Sequence, residues 1–229
     1  MADSASLLVT GERARRVLVV NVGNGMIDSS MSTMQPATRM VSASRDYSRA
    51  LTTNITGMSV SAIDVPTRTV RATFQVGARI EGIAVTPDGK EVWVGGNESH
   101  LVYVLNGTTG EITHRLEGFG MVYRVGITPD GTTAVISDPG SEKIHIANVA
   151  THTVRTVIDV APMSPSAAAA PVSSSPQGVA MLRDNATAYV TLKAVAKVAV
   201  VDLQRGVIVK YLPVGAGSDG VGYSPIVVK

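Results

Sequence analysis

The sequence predicts an all-β fold, a five-bladed β-propeller of four-stranded antiparallel blades closed by the two chain termini. Three observations predict it. A turn sentence is written twice 42 residues apart, VTPDGKEVWVGGN from Val85 and ITPDGTTAVISDP from Ile127. Turn aspartates recur at Asp46, Asp88, Asp130 and Asp184, at intervals of 42, 42 and 54. Eighteen residues after each comes another short polar residue, Asp64, Asn106, Asn148 and Asp202, closing an apolar alternation. A four-stranded unit of this length cannot bury both of its faces alone, and radial packing of such units solves that. A sandwich or an open array of meanders would also be all-β, but neither needs strict repetition.

Within a unit, GIAV (82–85) reads as the innermost strand, followed by a PDG turn in which Pro presets φ and Gly accepts φ > 0. EVWVG (91–95) and LVYVL (101–105) are the second and third strands. NGTTG then turns the chain into EITHRLE (111–117). Period-two patterning and β-branched content favour strands throughout. The boundaries follow. Residues 39–77, 81–119, 123–161 and 177–215 are four blades, and the twelve extra residues of the long interval fall in an Ala/Ser/Pro-rich insert, 161–176, expected to be a flexible loop. The remaining blade is expected from residues 6–38 plus 219–229. RVLVVN (16–21) and GMID (25–28) match second and third strands, and DGVGYSP (219–225) matches an innermost one. SLLVT (6–10) competes for that innermost place.

The chain has 229 residues, enough for a single well-buried domain. Only two Phe and one Trp accompany 22 Gly, which points to a core of Val, Ile, Leu and Ala. Twenty Lys plus Arg against eighteen Asp plus Glu nearly balance, and the one basic run, GERARR, is too short for a nucleic-acid surface. No nucleic-acid or membrane partner is expected. No apolar run reaches 18 residues and no signal-peptide core is present, so the chain reads as soluble, cytoplasmic or exported with a signal removed. The absence of cysteine excludes disulfides, thiolate nucleophiles and Cys metal ligands. There is no H-E-x-x-H, no calcium loop, no complete GxGxxG and no G-x-S-x-G, so no metal and no cofactor are expected.

The pattern G-[IV]-A-V-[TS]-P-D-G-K, then V-x-V-[ILV]-[DN]-x-x-T and a closing V-x-x-x-x-V-G, resembles the YVTN-type β-propeller repeat from Arg39 to Gly215. The unit beginning at Arg39 departs from it, with Arg45 in place of Pro and Tyr47 in place of Gly. The resemblance implies a kinship with surface-layer propellers, lactonase-like proteins and streptogramin lyases. Those usually have seven blades, and this chain has room for five.

Superimposing the units on their aspartates aligns the residue before each inner strand: Arg39, Glu81, Tyr123, Gln177 and Asp219. All five can hydrogen-bond and they differ in charge. Such residues are expected to line a polar channel mouth, as a ligand site or as a purely structural ring. Arg124 stands where neighbouring units have Gly82 and Gly178, and could hold a carbonyl or carboxylate oxygen, or pair with Glu81. The loops between second and third strands share that face and add Asn21, His100 and Asp138. His100 is the general-base candidate among four histidines. Asp138 could orient a histidine or a cation, although an Asp-Pro turn also explains it. The resulting expectation is a metal-independent hydrolase or lyase with Glu81, Arg124, His100 and Asp138 in the chemistry. Arg39, Tyr123, Gln177, Asp219 and Asn21 would bind a small-molecule ligand. A non-catalytic binding module and a structural fragment completed by a partner chain are the alternatives, and a monomer is expected rather than a homo-oligomer.

Overall fold

The computed structural model describes residues 5–160, 170 and 172–223. The predicted insert lies mostly outside the described residues, as does the end of the proposed closing strand from residue 224 onward. The chain forms five antiparallel sheets, and divides into two compact units, Met1–Glu117 and Gly118–Lys229.

The first unit holds three sheets. β1 (Ser6–Gly11), β2 (Arg16–Asn21) and β3 (Ile27–Ser32) form a three-stranded sheet in that order. β4 (Thr38–Ala43), β5 (Arg49–Asn54), β6 (Ser59–Asp64) and β7 (Thr69–Gln75) form a four-stranded meander. So do β8 (Ile80–Val85), β9 (Glu91–Gly96), β10 (Leu101–Asn106) and β11 (Ile112–Leu116). β4 lies against both β1 and β8, so the first strand of each sheet neighbours the first strand of the next. β1, containing SLLVT, therefore takes the innermost place in the first sheet.

The second unit holds two meanders: β12 (Arg124–Ile127), β13 (Thr133–Asp138), β14 (Lys143–Asn148) and β15 (Thr153–Asp159), then β16 (Pro176–Met181), β17 (Thr187–Leu192), β18 (Lys197–Asp202) and β19 (Val207–Pro213). β12 lies against β16. Residues 219–223, expected to begin an inner strand, belong to no strand. Among the described residues no helix is long and apolar enough to cross a membrane.

The apolar alternation builds cores between sheets. Val17, Val19 and Met31 of the first sheet pack with Ala50, Ile63 and Val65 of the second. Leu51, Val60 and Phe74 pack with Ile83, Val92 and Tyr103 of the third. In the second unit Val135, Ile144 and Ile146 meet Val190, Ala199 and Leu203. Each large apolar side chain so buried stabilises the fold by roughly 1.5–3 kcal/mol.

The repeating polar residues do different work. Asp46, Asp88, Asp130 and Asp184 each accept a backbone N–H two residues on, from Ser48, Lys90, Thr132 and Ala186. Asp64, Asn106, Asn148 and Asp202 likewise accept a backbone N–H two or three residues on, from Thr67, Thr108, Thr151 and Gln204. They repeat because a turn leaves N–H groups without ladder partners and a short side-chain oxygen satisfies them.

A second repeat is visible only in the backbone. Left-handed residues follow the marker aspartates at three constant distances. One residue on stand Tyr47, Gly89, Gly131 and Asn185, and twelve on Met58, His100, Glu142 and Ala196. Twenty-two on are Arg68, Gly110, His152 and Gly206. Tyr47, which departs from the repeat in sequence, keeps the glycine's conformation at φ 56.

Candidate functional site

The residues that enter the inner strands are positioned by their backbone carbonyls. Seven residues after each marker, on the second strand of the unit, stand Thr53, Gly95, Ser137 and Thr191. Thr53 Oγ1 donates to Glu81 O at 2.9 Å, Ser137 Oγ to Gln177 O at 2.6 Å, and Thr191 Oγ1 to Asp219 O at 2.8 Å. The same hydroxyls accept from the inner strand of their own sheet, from Met40 N, Arg124 N and Gly178 N. Each hydroxyl thus clamps the entry residue that follows its sheet. Asp219 is held through its carbonyl as Glu81 and Gln177 are, although no strand continues from it among the described residues. The sequence signal was a Thr or Ser at one fixed offset, passed over because the alternation explained it as a strand residue.

In the second unit three of the predicted residues, Tyr123, Arg124 and Asp219, come together. Tyr123 OH donates to Asp219 Oδ2 at 3.2 Å. The Arg124 guanidinium lies 4.1 Å from the Tyr123 ring centroid, donates to Tyr123 O at 3.1 Å, and reaches Asp219 Oδ1 at 4.0 Å, outside hydrogen-bond range. Gln177 Nε2 donates to Ser175 Oγ. Gln177 Oε1, Ser218 Oγ and Asp219 Oδ1 are buried atoms with no hydrogen-bond partner among the described residues. Gly178 has no room for a side chain, because a Cβ there would stand 2.2 Å from Asp219 O. The glycine that Arg124 replaces is thus sterically required in this neighbouring unit.

In the first unit Arg39 and Glu81 meet, with Nε to Oε1 at 2.9 Å. Asn97 Nδ2 donates to Glu81 Oε2 at 3.0 Å, and Arg39 also pairs with Glu12 at 3.0 Å. Both oxygens of the buried Glu81 therefore hold partners, a poor arrangement for taking a proton from a substrate. Asn97, which sequence reasoning did not single out, keeps a buried Oδ1 with no hydrogen-bond partner among the described residues.

The remaining candidates stand in turns or in the core. His100 is exposed on the left-handed position before β10. Asn21 Oδ1 accepts the N–H groups of Gly23 and Asn24, closing the β2–β3 turn. Asp138 is wholly buried. It accepts from Gly120 N, Met121 N and Ser141 N at 2.8–3.0 Å, and it meets His145 Nε2 at 3.2 Å. Burial pushes its carboxyl up, but the bonds from His145, Ser141, Gly120 and Met121 outweigh that and hold it well below the usual carboxylate range. The histidine that Asp138 meets is His145, 3% exposed with its ring 4.6 Å from that of Phe119. Register explains the pairing. Ile136 faces His145 and Asp138 faces Lys143, so Asp138 and His145 are diagonal neighbours on one face. Gly120 and Gly140 allow the cage to close, since a Cβ on either would meet the other's backbone at 2.7 Å.

Among the described residues no group of three His, Cys, Asp or Glu side chains is placed to hold a metal ion. No family model matches the sequence, and no curated protein matches it either. The fold is a propeller-like β-rich one similar to that of Kuenenia stuttgartiensis hydrazine synthase. The similarity has a TM-score of 0.68 at 16% identity and covers 97% of this chain and 87% of that one. With 1488 chains of solved structures sharing the likeness, it defines architecture and carries no chemistry.

Proposed function

We propose that the chain is a five-bladed β-propeller that binds a small polar molecule where its inner strands begin, with Tyr123, Arg124, Gln177 and Asp219 as the contact residues. One observation carries this reading. Gln177 Oε1, Ser218 Oγ and Asp219 Oδ1 are buried with no hydrogen-bond partner among the described residues, and Asp219 lies beside the Arg124 guanidinium and the Tyr123 phenol. Burying a polar atom unpaired costs roughly 1–3 kcal/mol, so three together favour a ligand that donates hydrogens to them. Arg124 would take an acceptor oxygen of the same molecule by a charge-assisted bond. A molecule with both kinds of group, such as a hydroxylated amide or lactone, suits this set. The resemblance to YVTN-type propellers supports the same class of ligand.

The hydrolase or lyase reading is the second, favoured by the lone pair on Asp219 Oδ1 next to a cation. Asp219 would accept the proton and Arg124 would stabilise the developing oxyanion, with Glu81, His100 and Asp138 left to structure. The proposed closure by both termini rests on the first sheet having three strands where the others have four.

The test is a binding and turnover screen over small esters, lactones and amides, repeated with Arg124→Ala, Gln177→Ala and Asp219→Asn. Each variant should weaken binding of a hit about tenfold, equivalent to about 1.4 kcal/mol, while melting within a few degrees of the parent. Unchanged affinity in all three removes this cluster from ligand recognition. Turnover that is lost in Asp219→Asn with binding retained selects the enzyme reading; a hit that binds and never turns over selects the binding module.

A further inference from the structure

A cavity of about 370 Å³ opens in the first unit, between the second and third sheets, and shares no residue with the cluster above. Two of the positions that line it are small. Ala62 of β6 pairs with Ala72 of β7, where the corresponding ladder pairs of the other four-stranded sheets are Val104–His114, Ile146–Thr156 and Val200–Lys210. Gly107 also lines it, where the other units place Val65, Val149 and Leu203, but its own lack of a side chain is set by the neighbouring turn, since a Cβ there would stand 2.2 Å from Gly89 O. Phe74 lines the hollow as a buried aromatic surface.

The polar lining is arranged around one excess positive charge. Asp64 faces Arg49 across the ladder, yet its Oδ2 pairs with Arg71 at 2.6 Å and its Oδ1 accepts the Thr67 N–H at 2.8 Å. Arg49 is held by neutral groups, donating to Thr108 Oγ1 at 3.1 Å and Gly107 O at 3.4 Å. Among the described residues it makes no ion pair. Its guanidinium is thus fixed at the cavity by neutral groups, in a lining of two arginines and one aspartate, while the other units carry Glu91, Thr133 and Thr187 at that position.

We infer that this cavity is a binding site for a small monoanion with an apolar body, a monocarboxylate of aromatic or short aliphatic type. The carboxylate meets Arg49, whose planar fork suits two parallel hydrogen bonds. The body lies on Phe74, Ala62 and Ala72, and the volume falls within the range of small-ligand sites. A cation is repelled by the excess charge, and a fully hydrated anion gains nothing from the apolar surface.

The experiment is calorimetric titration of the full chain with benzoate, benzylamine and inorganic phosphate, in parallel on Arg49→Met and Ala62→Ile. The parent should bind benzoate with a Kd of about 1 mM or tighter, and bind benzylamine and phosphate at least tenfold more weakly. Arg49→Met should weaken benzoate at least tenfold. Ala62→Ile fills the hollow with the side chain that Ile146 already places in another sheet, and should abolish binding while melting no lower than the parent by more than a few degrees. No benzoate binding by the parent overturns the assignment. So does equal binding of benzylamine, or benzoate affinity unchanged in a folded Ala62→Ile.

Discussion

Tyr47 has φ 56, the conformation that Gly89 and Gly131 adopt at the same place in their units. A side chain there brings Cβ against the carbonyl that follows, at roughly 1–2 kcal/mol for an ordinary residue. Tyr47 is 41% exposed, so little packing repays the strain. Tyr47→Gly is expected to stabilise the protein by about 0.5–1 kcal/mol in urea denaturation, the glycine's greater unfolded-state entropy offsetting part of the relief. Tyr47→Ala, which retains a Cβ, should not. A stabilisation by alanine equal to that by glycine would place the gain elsewhere. His100 is governed by the same constraint. Its sequence context suggested a proton carrier, and its position makes it one of twelve turn residues set by backbone geometry. Asp138 illustrates the converse. Its side chain meets a histidine, and that partner, His145, depends on a hairpin register that spacing alone does not specify.

At the scale of the strand and turn, the repeated carboxylates make the hairpins acid-sensitive. The Ser44 hydroxyl and the Ser48 amide and hydroxyl draw Asp46 down from its usual 3.8 to about 2. Asp64 is lowered chiefly by Thr67, and Asp88 by the Lys90 amide. Burial raises Asp130 and Asp184, but hydrogen bonds from Thr128 and Thr132, and from Ala186 and Thr187, bring both below the usual range. Between 3.8 and about 2 the unfolded chain therefore binds more protons than the folded one. The stability these groups contribute is complete above the unfolded value and is lost as pH falls through the folded one. The melting temperature should be level above about pH 5 and fall progressively from about pH 4 to pH 2. A melting temperature independent of pH down to 2, or a loss that begins near neutrality, would show that the turn carboxylates do not set the acid limit.

For the whole molecule, the first sheet is the exception. Its three strands all come from the N-terminal end, and its β3 edge carries the exposed Met26 and Ile27 nearby. Among the described residues no strand pairs with that edge; an unpaired edge is an aggregation hazard, which the proposed closure by residues from the C-terminal end would remove. Deleting residues 215–229 is expected to give insoluble or readily proteolysed protein. A truncated form that stays soluble and melts with the full chain would mean that the first sheet is completed in another way. A solution mass of one chain for the intact protein would count against completion by a partner.

The amino-acid sequence by itself determined the repeat period, the strand positions and the turns. Every second strand begins three residues after its marker and every third strand thirteen after it, as the alternation implied. These features are local: a turn aspartate needs only the N–H groups next to it, and a strand needs only its own alternation. The tertiary structure alone decided which side chains meet. The Thr53, Ser137 and Thr191 clamps, the Asp138–His145 cage and the Arg49 cavity each join residues from separate strands or sheets. Their contacts depend on hairpin register and on how one sheet faces the next, and those are set by the summed packing of many apolar side chains, which no short stretch of sequence encodes.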